Sequence, residues 1–232
     1  MRDLRLADEP LEMAATVTAI SNMYGFLVAV YREPPSAEFV EQIRRPAIIT
    51  ALASAGVELE ADFRHLSESQ LLVDLAVEYT RLFVGPGKHI PPHESVHIEG
   101  GGGSLWGQST AEVKRFIESA GFEYRPDNTV IPDHLSVELE FMQALTGMEA
   151  QAWRESDLDT VRRAQHIEQE FIEKHLARWV PTFCEKVIEA AELPFYKEMV
   201  MLVGDFVEAE KERIAGWLRD ECEASATPNA AC

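Results

Sequence analysis

Apolar residues return at helical spacing along almost the whole chain, and that period limits the fold more than any other feature. Met13, Val17, Ile20, Tyr24, Leu27 and Tyr31 form one stripe, stopped by Glu33-Pro34-Pro35 because a proline ring clashes with the preceding turn and brings no N–H. A shorter helix is expected over 36–54, interrupted near Pro46 and closed by Gly56. Leu72, Leu75, Tyr79, Leu82 and Phe83 make a further stripe, with Ser67 as its capping hydroxyl and Gly85-Pro86 as its stop. Residues 109–121 start on a hydroxyl and end on Gly121; Pro132 is expected to open a helix reaching Gly147. Two more helices are expected over 155–180 and from Pro194 to about Leu218. Strand alternation and hairpin turn pairs are absent. The expectation is an all-α single helical bundle. Its N-terminal helices span 11–84, a Gly/Pro-rich hinge loop 85–108, its C-terminal helices 109–218, and a flexible tail 219–232.

With 232 residues, 46% of them hydrophobic, the chain can bury a core without staples. Three cysteines, Cys184, Cys222 and Cys232, cannot pair fully, which fits a reducing compartment. The first thirty residues lack a basic stretch followed by a cleavage site. Their longest apolar run, "YGFLVAVY", falls short of the roughly 20 residues that span a bilayer. The expected protein is cytoplasmic with no stable membrane insertion. Forty acidic residues against 21 basic ones leave a net charge of −19, which repels nucleic acid and attracts cationic partners.

The loop "GPGKHIPPHESVHIEGGGGSLWG" (85–107) departs from the helical period. It lacks a Walker A motif: Leu82 stands where the first glycine belongs, and His89 where the hydroxyl belongs. His89, His93 and His97 are four apart, and Glu94 with His97 reads as Glu-x-x-His, so a metal-dependent helical enzyme is one reading. Pro91 and Pro92 break the helix that reading needs. No cofactor and no catalytic residue are expected.

A second cluster lies in "IPDHLSVELEFM" (131–142). Asp133 precedes a helix, His134 sits in its first turn, and Glu138 follows one turn later on the apolar stripe. A carboxylate there is not buried unpaired. Either these acids cap the helix start, or they form a carboxylate pocket for a cation. His175 shares a stripe with Phe171 and Trp179, which fits a core histidine with a partner.

"EYTRLFVGPG" (78–87), "PPHESVHI" (91–98) and "PDHLSVELEFM" (132–142) occur in this order. Together they resemble the TorD/DmsD/NarJ family of maturation chaperones for molybdenum redox enzymes. Tyr79, Leu82 and Phe83 match its aromatic-x-x-Leu-Phe pattern; Pro92, Glu94 and Ser95 match Pro-x-Glu-Ser. Pro132, Asp133, His134, Glu138 and Phe141 match its last element. The resemblance implies a non-enzymatic chaperone that binds a twin-arginine leader. It would hold the apo form of a molybdopterin oxidoreductase subunit before export. It also implies a monomer able to form a domain-swapped dimer. The peptide-binding residues expected on this basis are Tyr79, Leu82, Phe83, Pro92, Glu94, Ser95, Trp106, Asp133, His134, Glu138 and Phe141. Asp133, Glu138 and Tyr79 are expected to share one cleft, with carboxylates for the guanidinium groups and aromatics for the apolar segment. A structural helical adaptor that binds a folded partner is the remaining alternative.

Overall fold

A computed structural model describes residues 2–59, 63, 65–98, 106–123 and 130–226. Among them the regular elements are helical, and the sole β-type pairing is an isolated antiparallel bridge between His93 and His134. The chain runs through α1 (Arg2–Tyr31), α2 (Ala37–Ile43), α3 (Pro46–Ser54) and α4 (Glu68–Tyr79), the last continuing into a π-turn, Thr80–Val84. The loop then carries α5 (Glu94–His97), followed by α6 (Gln108–Ser119), α7 (Leu135–Glu155) and α8 (Leu158–Phe171). A second π-turn, Ile172–Leu176, joins α8 to α9 (Ala177–Ala190), and α10 covers Pro194–Ala226.

The apolar stripes meet in one large core. Tyr24, Leu27 and Tyr31 of α1 join Leu75, Tyr79 and Leu82 of α4, Leu135, Leu139 and Met142 of α7, and Phe171, Trp179 and Phe183 beyond. Each such side chain, fully buried, stabilises the fold by about 1.5–3 kcal/mol against leaving it exposed. The longest contact is α1 along α7, where Ser21 Oγ donates to Gln143 O at 3.0 Å. The stretch Pro10–Tyr31 is long and apolar enough to cross a membrane, with a mean hydropathy of 1.5. That is a longer apolar segment than the eight-residue run suggests, and its stripe packs in the core.

Several boundaries differ from the periodicity reading. Pro132 lies in a turn; α7 starts at Leu135, capped by His134, and passes through Gly147 to end on left-handed Ser156. Helix α6 starts after Gly107 without a hydroxyl cap. The expected 155–180 helix is divided by the second π-turn. Ser67 does cap α4, accepting from Gln70 N.

The first π-turn explains why a glycine follows "TRLFV". Gly85 N donates to Thr80 O at 2.6 Å, and a Cβ on Gly85 would sit 2.9 Å from that same carbonyl oxygen. Only a residue with no side chain closes this turn without a shift. The following segment is not a free hinge. Ile90 N donates to Leu82 O at 2.7 Å, and Pro92, Glu94, Ser95 and His97 are buried. The four consecutive glycines, Gly100–Gly103, lie outside the described residues, as does the end of the expected tail.

Candidate functional site

The loop docks on the start of α7 through backbone groups. Leu135 N donates to Pro92 O at 2.8 Å, and Glu94 N donates to Asp133 O at 2.9 Å. Pro91 and Pro92 have no N–H to satisfy, so they fit a one-rung bridge that leaves little else to pair. Asp133 then reaches across the junction: its Oδ2 accepts from Ser95 N at 3.0 Å, over 38 positions of sequence. It therefore holds the first turn of α5, not of α7. The cap of α7 is His134, whose Nδ1 accepts from Ser136 N at 3.1 Å. Its ring meets that of His93 edge-on at 4.8 Å.

This geometry fixes protonation states. Burial favours a neutral Asp133, but His93 and the Ser95 amide beside it prevail and bring its pKa down to about 2. The His93 Nδ1 lies 3.6 Å from Asp133 Oδ1, an ion-pair separation too long for a hydrogen bond. Burial, with His93 close by, depresses His134 to about 3, so its Nδ1 stays free to accept. His97 is also lowered by burial. Its Nε2 donates to Pro91 O at 2.8 Å, its Nδ1 faces Lys186 Nζ at 3.2 Å, and its ring stacks on Trp179.

Behind the junction two carboxyl groups share the interior. Glu94 Oε2 pairs with His175 Nδ1 at 2.8 Å, and Glu138 Oε2 accepts from Trp179 Nε1 at 3.1 Å. Both residues are 0% exposed, and the Oε1 atom of each lacks a donor. Burial, then the charge of Glu94, pushes the Glu138 pKa well up. A proton on Glu138 turns one of those oxygens into a donor and resolves the shortfall. The arrangement locks loop, α7 and the second π-turn together.

The expected common cleft for Asp133, Glu138 and Tyr79 is not formed. A surface cleft of about 370 Å³ is edged by Tyr79, Phe83, Pro92 and His134, together with Arg32 and Glu33. Glu94, Ser95, Asp133 and Glu138 lie in the interior, because backbone amides, a histidine and an indole already claim their polar atoms. Tyr79 keeps its hydroxyl inward on Tyr31 O at 2.9 Å. Leu82 is core, and Phe141 packs against Phe116, Phe122 and Phe171. Trp106 stands apart, 72% exposed, on left-handed backbone.

The metal reading fails on geometry. His89 turns back on Gly87 O, His93 faces Asp133, and His97 is held by Pro91 and Trp179. Among the described residues no group of three or more His, Cys, Asp or Glu side chains could hold a metal ion. His175 is a buried histidine with a partner, as its stripe implied.

Sequence reasoning missed a second buried acidic cluster. Arg213 Nη2 lies 2.9 Å from Glu210 Oε2, 3.3 Å from Glu168 Oε2 and 3.9 Å from Glu149 Oε2. One cation faces three carboxylates. Burial and the charge of Glu149 raise Glu168 to about 8. Glu210 is raised by burial too, with Arg213 opposing. The signal was present: Leu145, Glu149 and Trp153 are four apart on one stripe, and Glu168 lies between Ala164 and Phe171 on another.

Residues 45–185, which include the whole loop junction, match the family model described as the nitrate reductase delta subunit. The chain belongs to that family. Membership accords with the three ordered motifs and with the redox enzyme maturation proteins that they resemble. Among curated relatives, the selenate reductase assembly chaperone protein of Thauera selenatis is 35% identical over 104 residues, 44% of this chain and 51% of that protein. The perchlorate reductase assembly chaperone protein of Dechloromonas aromatica is 33% identical over 104 residues, 44% of this chain and 45% of that protein. The chain thus spans about half the length of these two family relatives. The chaperone protein TorD of Vibrio cholerae is 21% identical over 202 residues, covering 82% of this chain and 90% of that one.

Proposed function

We propose that the chain is a cytoplasmic assembly chaperone that binds the twin-arginine leader of a molybdopterin-containing oxidoreductase subunit. On this reading it holds the apo form of that subunit until the cofactor is loaded, then lets export proceed. The observation that carries the reading is the family itself, whose matched relatives are named assembly chaperones of reductases. The net charge of −19 supports it, because a long acidic field steers a basic leader toward the protein.

In this proposal the motif residues divide by placement. Tyr79, Phe83, Pro92 and His134, though largely buried, form the wall of the cleft that faces the client, while Leu82, Glu94, Ser95, Asp133, Glu138 and Phe141 keep that wall rigid behind it. Trp106, exposed to solvent, supplies an aromatic contact for the bound peptide. Co-expression of the chain with a reductase precursor tests the proposal. The precursor is expected to co-purify with the chaperone and a leaderless copy is not; equal recovery of both would make the chain an adaptor for the folded partner.

A further inference from the structure

This inference rests on the leader-binding reading above and names where the leader docks. Glu78, Glu94, Asp133 and Glu138 of the motifs are inside the fold, and the partly exposed Glu140 is already paired with Arg32, so the surface chemistry that suits a basic, apolar peptide is sought elsewhere. One groove has it. Between the segment after α3, the face of α4 and the start of α10, Leu59, Leu66 and Leu75 border an apolar cavity of about 170 Å³. Its floor is Phe63 stacked on Phe195, ring centroids 5.8 Å apart and 11° from parallel. Around it stand Glu58, Asp74 and Glu198, and among the described residues no lysine, arginine or histidine lines it.

From this arrangement we propose that the groove is the docking site for the leader, its apolar side chains seated over Phe63 and Phe195 and its guanidinium groups on the three-carboxylate rim. Size favours a peptide anchor over a small molecule. Drug-sized ligands fill pockets of roughly 300–1,000 Å³, whereas 170 Å³ suits one or two side chains of a bound helix. Charge selects the occupant. Among the described residues Glu58, Asp74 and Glu198 form no ion pair, and the hydrogen-bond partner of Asp74 is the neutral amide of Gln70, at 2.7 Å. Three carboxylates that no described cation pairs with suit the bidentate fork of arginine. Another broad cleft, lined by Arg115, Arg163, Lys174 and Arg178 against Glu112 and Glu170, carries more cations than carboxylates and suits the same peptide less well.

The groove is also built to hold its shape. Glu78 accepts from Glu192 N at 2.6 Å and from Arg81 Nε at 2.6 Å, and Tyr196 Oη donates to Leu75 O at 3.0 Å. These bonds fasten α10 to α4 beside the cavity. Leu75 borders the groove and Tyr79 the motif cleft; they are one helical turn apart on α4. A leader anchored in the groove therefore brings its client to the motif edge.

The test is fluorescence anisotropy of a labelled synthetic peptide with two adjacent arginines ahead of an apolar, helix-forming stretch. Wild type is compared with the Asp74→Lys/Glu198→Lys double variant, with Leu66→Asn, and with Glu118→Lys/Glu208→Lys as a control for net charge. The double variant is expected to weaken binding at least about tenfold, and the control less than about twofold. Leu66→Asn should weaken it at an unchanged melting temperature, since Leu66 is only half-buried. If the peptide binds wild type and the groove variants equally, the groove is overturned while leader binding stands. If it binds none of them, both proposals fall.

Discussion

His175 Nδ1 lies 2.8 Å from Glu94 Oε2, joining the second π-turn to the loop helix across 81 positions of sequence. The pair is buried on both sides, at 5% and 0% side-chain exposure. A buried polar pair is not itself a large source of stability, but breaking it leaves a polar group stranded. Glu94→Ala is therefore expected to cost about 3 kcal/mol in urea unfolding. The Glu94→Ala/His175→Leu double variant should cost much less than the sum of the single changes. Additive losses would show that the two side chains are not coupled.

Asp133 is expected to act as a clamp on α5. Asp133→Ala removes the acceptor of the Ser95 amide and should cost about 2 kcal/mol, the range of a bond to a charged acceptor. Because Asp133 is buried, leader binding and melting temperature should fall together. Hydrogen exchange at Ser95 N checks the cause, and unchanged protection there would contradict it.

Stability should fall on both sides of a mildly acidic optimum. His134 is held near 3 against its ordinary 6.5, so its contribution is full above pH 6.5 and lost as pH falls toward 3. Asp133, near 2 against 3.8, adds a loss at lower pH. Glu168 works in the opposite sense. Raised from 4.5 to about 8, it keeps its proton in the fold, and its contribution drains away as pH climbs from 4.5 to 8. Glu168→Gln should flatten the alkaline decline and raise the urea midpoint at pH 8; an unchanged slope would contradict the assignment.

Gly85 should resist replacement. Gly85→Ala sets a methyl group against the Thr80 carbonyl at 2.9 Å, and the expected loss is about 1–3 kcal/mol, typical of a group forced into filled space. A wild-type melting temperature for this variant would show that the turn relaxes freely.

The bundle was legible because a 3.6-residue period survives in sequence wherever a helix has one buried face. Ser67, Pro46 and Gly56 marked their boundaries for local reasons: a cap, a first-turn ring and a φ of +84°. The two π-turns were not legible, since Thr80–Val84 and Ile172–Leu176 use residues that serve an α-helix equally well. At the motifs the residue types were legible and their direction was not. Asp133 and Glu138 read as either caps of a helix start or a pocket for a cation, yet spacing cannot say that Ser95 N and the Trp179 indole arrive from distant elements to occupy them. The groove rim escaped notice for the same reason: Glu58, Asp74 and Glu198 come together only when α4 meets the start of α10.

The most direct measurement is a calorimetric titration of the full chain with a twin-arginine peptide and with a copy carrying two glutamines instead. The account predicts saturable binding of the first at about 10 µM or tighter, and a clear loss for the second. No heat from either peptide at tens of micromolar, roughly −6 kcal/mol or weaker, would contradict it.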